Sequence, residues 1–208
     1  MTTFADLPVL WDLDGTLVDS AADIAAAVDR ALVGNALPAL GERAVRRHIG
    51  SGAQHLLTAC TEEAGGEMSA KILADFFVAY RAHIADQTVL YPGMRALLRE
   101  IQRPQAVVTN KPIAMTEALL ESLGIRAQFA AVYGGESLPM RKPHPMMLHA
   151  AMAEMGVTRA VMVGDGPHDV SAARAAGIPM IGVDWGIAKP EGADVRVPSV
   201  AALARLLI

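Results

Sequence analysis

The sequence has little of what marks secreted or membrane proteins. It contains one cysteine, Cys60, in 208 residues, so it cannot form an intrachain disulfide and a reducing compartment is expected. No apolar run reaches the roughly 20 residues that a bilayer-spanning helix needs. The first residues lack the pattern of a secretory signal. We therefore expect a cytoplasmic protein without a membrane partner.

Aromatic residues and positive charge are also scarce. Aromatic residues make up 4% of the chain and hydrophobic residues 52%, which favours helices packed on a buried sheet over an aromatic-rich β-sandwich. The formal net charge is −4, and the densest basic cluster contains only Arg43, Arg46 and Arg47. Three arginines are too few for binding a phosphate backbone, so we expect no nucleic-acid partner.

Short apolar segments alternate with helical patterns along most of the chain. The first segment is residues 8–13, and four more follow at 106–109, 129–133, 160–164 and 179–183, each after a predicted helix. Continuous apolar strands separated by helices are typical of a parallel sheet covered on both faces. The predicted fold class is therefore α/β, with a doubly wound, Rossmann-like parallel sheet.

Residues 19–82 interrupt this alternation directly after the first strand. They are predicted to form about four helices, separated by turn-forming pairs such as Gly34-Asn35 and Gly65-Gly66. We therefore expect a helical cap at 19–82, inserted into an α/β catalytic core made of residues 1–18 and 83–208.

Polar side chains follow the predicted strands at the edge where parallel sheets bind ligands. The candidates are Asp12, Asp14, Thr109, Asn110, Lys142, Asp165 and Asp169. Clustered carboxylates require a cation, and ligation by oxygen alone favours Mg²⁺ or Ca²⁺ over zinc. Lys142 and Thr109 would offer positive charge and a hydrogen-bond donor to phosphate oxygens. Asp12 and Asp14, two residues apart, fit a covalent nucleophile and a nearby proton donor.

The order of these residues resembles the haloacid dehalogenase superfamily over almost the whole chain. The four similar motifs are Asp12-Leu13-Asp14-Gly15-Thr16, Thr109-Asn110, Lys142-Pro143, and Gly164-Asp165 with Asp169. The resemblance implies that Asp12 is the nucleophile and that Asp14 protonates the leaving oxygen and later activates water. It also implies that Thr109 and Lys142 hold the transferring phosphoryl group.

The same resemblance implies a magnesium site and a class of substrate. Asp12, the backbone carbonyl of Asp14 and Asp165 would be the ligands of Mg²⁺, and Asp169 would support them. Dehalogenases and phosphonate-cleaving members of the superfamily lack a carboxylate at the place of Asp14. Its presence here favours hydrolysis of phosphate esters through an aspartyl-phosphate.

Four stretches are similar to phosphoglycolate phosphatases, namely residues 12–27, 45–52, 108–112 and 182–186. The similarity implies a small phosphorylated metabolite as partner, with 2-phosphoglycolate as the leading substrate. In the cap, Arg47 is a candidate contact for a substrate carboxylate or else a solvated helix residue. Gly50 belongs to a loop that closes over substrate or to a plain turn between helices. The expected assembly is a monomer or homodimer.

Three other functions fit the sequence less well. A regulatory receiver domain would carry its phosphorylated aspartate after a later strand and would have no helical insert after the first. A dinucleotide-binding enzyme would have Gly-x-Gly-x-x-Gly where this chain has its Asp-x-Asp motif. A sugar-phosphate mutase of the same superfamily tends to carry a histidine after the first motif, and residues 19–23 have none. Hydrolysis is therefore preferred, with the mutase as the alternative.

Overall fold

A six-stranded parallel sheet forms the centre of the molecule in the computed structural model, which describes residues 4–208. The strands in chain order are β1 (Val9–Trp11), β2 (Val18–Asp19), β3 (Val89–Leu90), β4 (Gln105–Val108), β5 (Ala131–Tyr133), β6 (Val161–Gly164), β7 (Met180–Val183) and β8 (Val195–Val197). The order across the large sheet is β5-β4-β1-β6-β7-β8, whereas β2 and β3 pair antiparallel as a separate ribbon. The predicted α/β class with a doubly wound parallel sheet is confirmed.

Helices connect the strands and cover the sheet. In chain order they are α1 (Ala21–Val33), α2 (Glu42–Val45), α3 (Ala53–Glu63), α4 (Ala70–Ala82), α5 (Met94–Glu100), α6 (Ile113–Ser122), α7 (Met146–Glu154), α8 (Pro167–Ala176) and α9 (Val200–Leu207). Short 3₁₀ turns occupy Arg46–His48 and Arg126–Gln128. No helix among residues 4–208 is long and apolar enough to cross a membrane.

Both faces of the sheet are buried, because successive side chains of one strand point to opposite sides. In β1, Val9 and Trp11 belong to one apolar cluster, which also contains residues of α5, α6 and α9. Leu10, between them, belongs to a second cluster, which contains residues of α7 and α8. This two-sided burial explains why the core strands have continuous apolar sequences rather than alternating ones.

Helices α1 to α4 form a helical segment that enters and leaves the sheet domain through the β2–β3 ribbon. Asp23, near the start of α1, is buried and accepts hydrogen bonds from the backbone N–H groups of Gln87 and Thr88 and from the Thr88 hydroxyl. These bonds fasten the beginning of the helical segment to the chain that leaves it.

The last strand and the last helix of the chain were not predicted from the sequence. β8 is three residues long and pairs with β7, and α9 begins after Ser199, whose hydroxyl accepts the N–H of Ala202. Arg196 lies at the centre of this short strand, so no continuous apolar run marks it in the sequence, unlike β1 and β5.

Candidate active site

Asp12 lies where the chain order of the sheet reverses. Strand β1 pairs on one side with β4 and on the other with β6. The chain segments that follow β1's neighbours therefore run to opposite sides, and a crevice opens between them beyond the carboxyl end of β1. The backbone N–H of Asp12 donates to Val163 of β6 at 2.9 Å, and Asp165 follows the same strand. The sheet topology therefore brings the first and fourth motifs together.

Lys142 lies between two of the carboxylates. Its Nζ is 2.8 Å from Asp12 Oδ1 and 2.6 Å from Asp169 Oδ1, and it donates to the Val108 carbonyl at 2.7 Å. Burial alone would lower the pKa of Lys142, but the attraction of Asp12 and Asp169 outweighs it and raises the pKa above its ordinary value. The ammonium is thus a permanent positive charge that restrains Asp12.

Three carboxylates form a cluster suited to a divalent cation. One oxygen from each of Asp12, Asp165 and Asp169 lies within 4.8 Å of the others. Burial, together with repulsion from Asp169, raises the pKa of Asp12 to about 6. Burial, together with repulsion from Asp12, likewise raises the pKa of Asp165 to about 6. A cation held by hard oxygen ligands would relieve both effects, so the residues fit Mg²⁺.

Asp165 is oriented by the backbone around it. Its Oδ2 accepts the N–H groups of Ile187 and Ala188 at 2.8 and 2.9 Å, and its Oδ1 accepts the Thr16 hydroxyl at 3.2 Å. Gly15 has φ +86°, and a Cβ there would lie 2.4 Å from Asp165 Oδ2. The close approach of this turn to the carboxylate explains the glycine that follows Asp14, a role that the sequence analysis did not assign.

Asp14 faces a different set of partners from Asp12. Lys111 Nζ lies 3.0 Å from its Oδ1 and 3.1 Å from its Oδ2, and the Ser20 hydroxyl donates to Oδ1 at 2.6 Å. Neither Lys111 nor Ser20 was singled out from the sequence. The Asn110-Lys111-Pro112 stretch contained the signal, but the direction of the Lys111 side chain depends on the turn that follows β4.

Thr109 and Asn110 follow β4 and hold loops at the site. The Thr109 backbone N–H donates to Tyr133 at 2.9 Å, and its hydroxyl accepts the N–H of Lys111 at 3.2 Å. Asn110 Nδ2 donates to the carbonyls of Gly50 and Lys142 at 3.1 and 3.0 Å. Asn110 therefore connects the loop of the helical segment to the loop that carries Lys142.

Arg47 lies at the rim of the site. Its guanidinium is paired with Glu63 at 2.6 Å, and its side chain is 60% exposed. Gly50 lies closer in and has φ +118°, a left-handed conformation that favours glycine. The structure thus brings the predicted core residues into one crevice and leaves Arg47 in contact with solvent.

Two chambers meet at Asp12 and Asp14. The larger, of about 200 Å³, is lined by Lys142, Asp165 and Asp169, whereas the smaller, of about 50 Å³, lies between β4 and the helical segment. Residues of the smaller chamber include Ile24, Leu56, Phe76, Tyr80, Lys111 and Met115. Asp12, Asp14, Ile49 and Gly50 line both. If a substrate bond were broken at this junction, the two fragments of the substrate would lie in different chambers.

Comparison with known proteins identifies the family of the chain. The family model for haloacid dehalogenase-like hydrolases matches residues 9–183. The phosphoglycolate phosphatase of Chromobacterium violaceum is 39% identical over 96% of this chain and 95% of its own length. That of Escherichia coli K12 is 37% identical over 96% of this chain and 90% of its own length. A crystal structure of "a predicted phosphoglycolate phosphatase" from Haemophilus somnus superposes with a TM-score of 0.90 at 29% identity, covering 99% of this chain and 98% of the other.

The match extends over most of the chain, and the relatives are covered almost end to end, so it is not confined to one motif. The resemblance inferred from the four motifs is thereby confirmed, as is the assignment of the protein to an enzyme class. The chain belongs to the haloacid dehalogenase-like hydrolase family.

Proposed function

We propose that this protein is a Mg²⁺-dependent phosphatase that hydrolyses small phosphate monoesters, with 2-phosphoglycolate as its principal substrate, through an aspartyl-phosphate on Asp12. The observation that carries the proposal is the position of Asp12, between the Lys142 ammonium and a carboxylate cluster, with Asp14 beside it. The names of the relatives from Chromobacterium violaceum and Escherichia coli support the substrate.

The reaction would begin in the larger chamber. A carboxylate oxygen of Asp12 attacks phosphorus, the ester P–O bond breaks, and Asp14 gives its proton to the departing oxygen. Lys142, in the larger chamber, and Thr109, which lines the smaller chamber next to Asp12 and Asp14, hold oxygens of the phosphoryl group during the transfer. The leaving alcohol then occupies the smaller chamber, because Lys142 and the carboxylate cluster draw the phosphoryl group to the larger chamber and Asp14 lines both.

Hydrolysis of the intermediate completes the cycle. Asp14, now a carboxylate, removes a proton from a water that attacks the phosphorus of the Asp12 acyl phosphate. The P–O bond to Asp12 breaks, phosphate leaves, and both aspartates return to their starting forms. Asp14 would thus serve first as acid and then as base, which is the reason for its place beside the nucleophile.

Asp12, the backbone carbonyl of Asp14 and Asp165 are proposed to hold Mg²⁺. When bound, the metal would draw charge from the phosphoryl oxygens. Asp169, which accepts the Gly166 N–H at 3.0 Å and pairs with Lys142, would support these ligands from behind. Its bond to Gly166 also caps the start of α8, so one carboxylate serves both purposes.

Residues 19–82 are proposed to act as a cap that closes on the core formed by 1–18 and 83–208. Five polar contacts among the described residues join the two parts beside the site: Ser20 with Asp14, Tyr80 with Lys111, Gly50 with Asn110, Ser51 with His168, and Arg46 with Gly186. A closed cap would exclude water while the phosphoryl group is transferred, and opening would release the product.

Phosphate release from a panel of esters, with and without Mg²⁺, tests the proposal. The panel contains 2-phosphoglycolate, hexose phosphates, a nucleotide and an aryl phosphate, and Asp12→Asn is the control because an amide of the same shape is a poor nucleophile. We expect metal-dependent release, greatest from 2-phosphoglycolate and absent in the variant. Normal turnover by Asp12→Asn would refute the mechanism, and interconversion of hexose phosphates without phosphate release would favour the mutase.

The cytoplasmic location and the monomeric or homodimeric state stay predictions from the sequence. Fractionation of cells that produce the tagged protein would test the first. Light scattering of the purified protein would test the second.

A further inference from the structure

Lys111 is a buried cation to which the four motifs assign no role. Its side chain is 3% exposed, and it follows Asn110 in the turn after β4. Its Nζ contacts both oxygens of Asp14 and the Tyr80 hydroxyl, the latter at 2.6 Å, and lies 4.5 Å from the centroid of the Tyr80 ring. Lys111 therefore connects the proposed proton donor in the core to α4 in the helical segment.

The smaller chamber around Lys111 is otherwise apolar on the side of the helical segment. Ile24, Leu56 and Phe76 line that side, and Met115 lines the side of the core. Among the described residues that line the chamber, Lys111 is the only one with a cationic side chain. A charged group that entered such a chamber would lose its hydration, and Lys111 is the cationic side chain on its lining that could compensate a negative charge.

The ammonium remains charged in this environment. Burial alone would lower the pKa of Lys111, but the attraction of Asp14 and the contacts with Tyr80 outweigh it, so the pKa lies above its ordinary value. An ammonium has three N–H donors, and here they serve two oxygens of one carboxylate and one hydroxyl. One donor can turn from Asp14 to a ligand without leaving Asp14 unpaired.

We propose that Lys111 is the residue that selects substrates whose leaving group carries a carboxylate, by direct contact between its ammonium and that carboxylate in the smaller chamber. The inference rests on the proposed function, since it assumes that the leaving alcohol occupies this chamber. The direct contact of Lys111 with Asp14 also limits the distance between the ester oxygen and the carboxylate within the substrate. An ester oxygen at Asp14 and a carboxylate at Lys111 must be neighbours within the substrate, as when one carbon separates them.

Arg47 is the rival candidate for this contact. It lines the larger chamber, which would hold the phosphoryl group, and its guanidinium is already paired with Glu63 on an exposed surface. A carboxylate on the leaving group would lie on the other side of Asp12 and Asp14. The geometry therefore favours Lys111 over Arg47, and the two residues can be separated by experiment.

The test compares two esters that differ only in the charged group. Wild-type protein, Lys111→Met and Arg47→Met are assayed with 2-phosphoglycolate and with 2-hydroxyethyl phosphate, in which a hydroxymethyl group replaces the carboxylate. If a substitution lowers activity by disturbing Asp14, it lowers the kcat/KM of both esters equally. That effect therefore cancels in the ratio of the two kcat/KM values. We expect Lys111→Met to lower the preference for 2-phosphoglycolate by about 100-fold, as for a lost buried charge contact, and Arg47→Met to leave it within about twofold. An unchanged ratio in Lys111→Met, or a collapse of the ratio in Arg47→Met, would overturn the proposal.

A binding measurement separates this inference from the proposed function. Both esters are titrated calorimetrically into Asp12→Asn protein, with and without the additional Lys111→Met substitution, and circular dichroism confirms that each variant is folded. We expect the binding preference for 2-phosphoglycolate to be lost when Lys111 is replaced, even though neither protein turns over an ester. Wild-type protein that binds 2-phosphoglycolate but releases no phosphate would refute the phosphatase and leave the role of Lys111 to be judged on binding. Equal affinity of the Asp12→Asn protein for both esters would refute the role of Lys111.

Discussion

Gly15→Ala should damage the proposed metal site although it replaces none of the proposed ligands. A Cβ at Gly15 would lie 2.4 Å from Asp165 Oδ2, whereas ordinary van der Waals contact begins near 3.4 Å. The carboxylate must therefore move by about 1 Å, and a misplacement of that size costs about 100-fold in rate. Alanine at a positive φ also costs about 1–2 kcal/mol of folding free energy.

Gly177→Ala is the matched control, because Gly177 has φ +69° and a Cβ there would meet nothing within 4 Å. Gly177→Ala should lose about 1–2 kcal/mol in urea unfolding and Gly15→Ala at least as much, since both force alanine into a left-handed conformation. Only Gly15→Ala should lose about 100-fold in kcat/KM and require more Mg²⁺ for half-maximal activity. Equal activity in the two variants would show that Asp165 does not need its present position.

Three further predictions concern the charges of the site. Asp14→Ala should lower kcat for esters with poor leaving groups by at least about 100-fold and kcat for an aryl phosphate much less. Equal losses in kcat for both kinds of ester would contradict the role of Asp14 as the acid. Lys142→Met should lower the free energy of unfolding in urea by about 3–5 kcal/mol, because it removes the cation that pairs with Asp12 and with the buried Asp169. The exposed Lys71→Met should change it little, and similar losses would contradict the buried pairing. In metal-free protein, the raised pKa values of Asp12 and Asp165, both about 6, mean that the folded state binds more protons than the unfolded state between roughly pH 4 and 6. The free energy of unfolding of the metal-free protein should therefore fall as the pH rises through that window. Mg²⁺ should raise Tm more at pH 7.5 than at pH 5. A gain in Tm that does not depend on pH would contradict the cluster as a metal site.

The core of the site could be predicted from the sequence because parallel strands align their carboxyl ends. Asp12 and Asp165 are far apart in the chain, yet each directly follows a buried strand, and β1 and β6 are neighbours in the sheet. The continuous apolar strands were long enough to show two-sided burial, so the α/β class followed from them. The order of the four motifs then allowed a role to be predicted for each of these polar residues.

Side-chain direction in turns could not be predicted in the same way. Lys111 is two residues from Thr109, and only the folded turn, with the Thr109 hydroxyl bonded to the Lys111 N–H, shows that its ammonium meets Asp14. Arg47 was a candidate because of its charge, but spacing along a short helix does not show which way the guanidinium points. Its pairing with Glu63 depends on the packing of α3 against the preceding 3₁₀ turn.

Chemical trapping of the intermediate is the most direct test of the central claim that Asp12 carries the phosphoryl group. Asp14→Ala protein is mixed with an aryl phosphate and Mg²⁺ and quenched in acid, because an aryl ester needs little help in leaving and the variant should be slow to activate water. Peptide mass spectrometry should then find a phosphoryl group on Asp12 that hydroxylamine removes. Burst release of the aryl alcohol with no phosphoryl group on Asp12, or with one on another residue, would contradict the account.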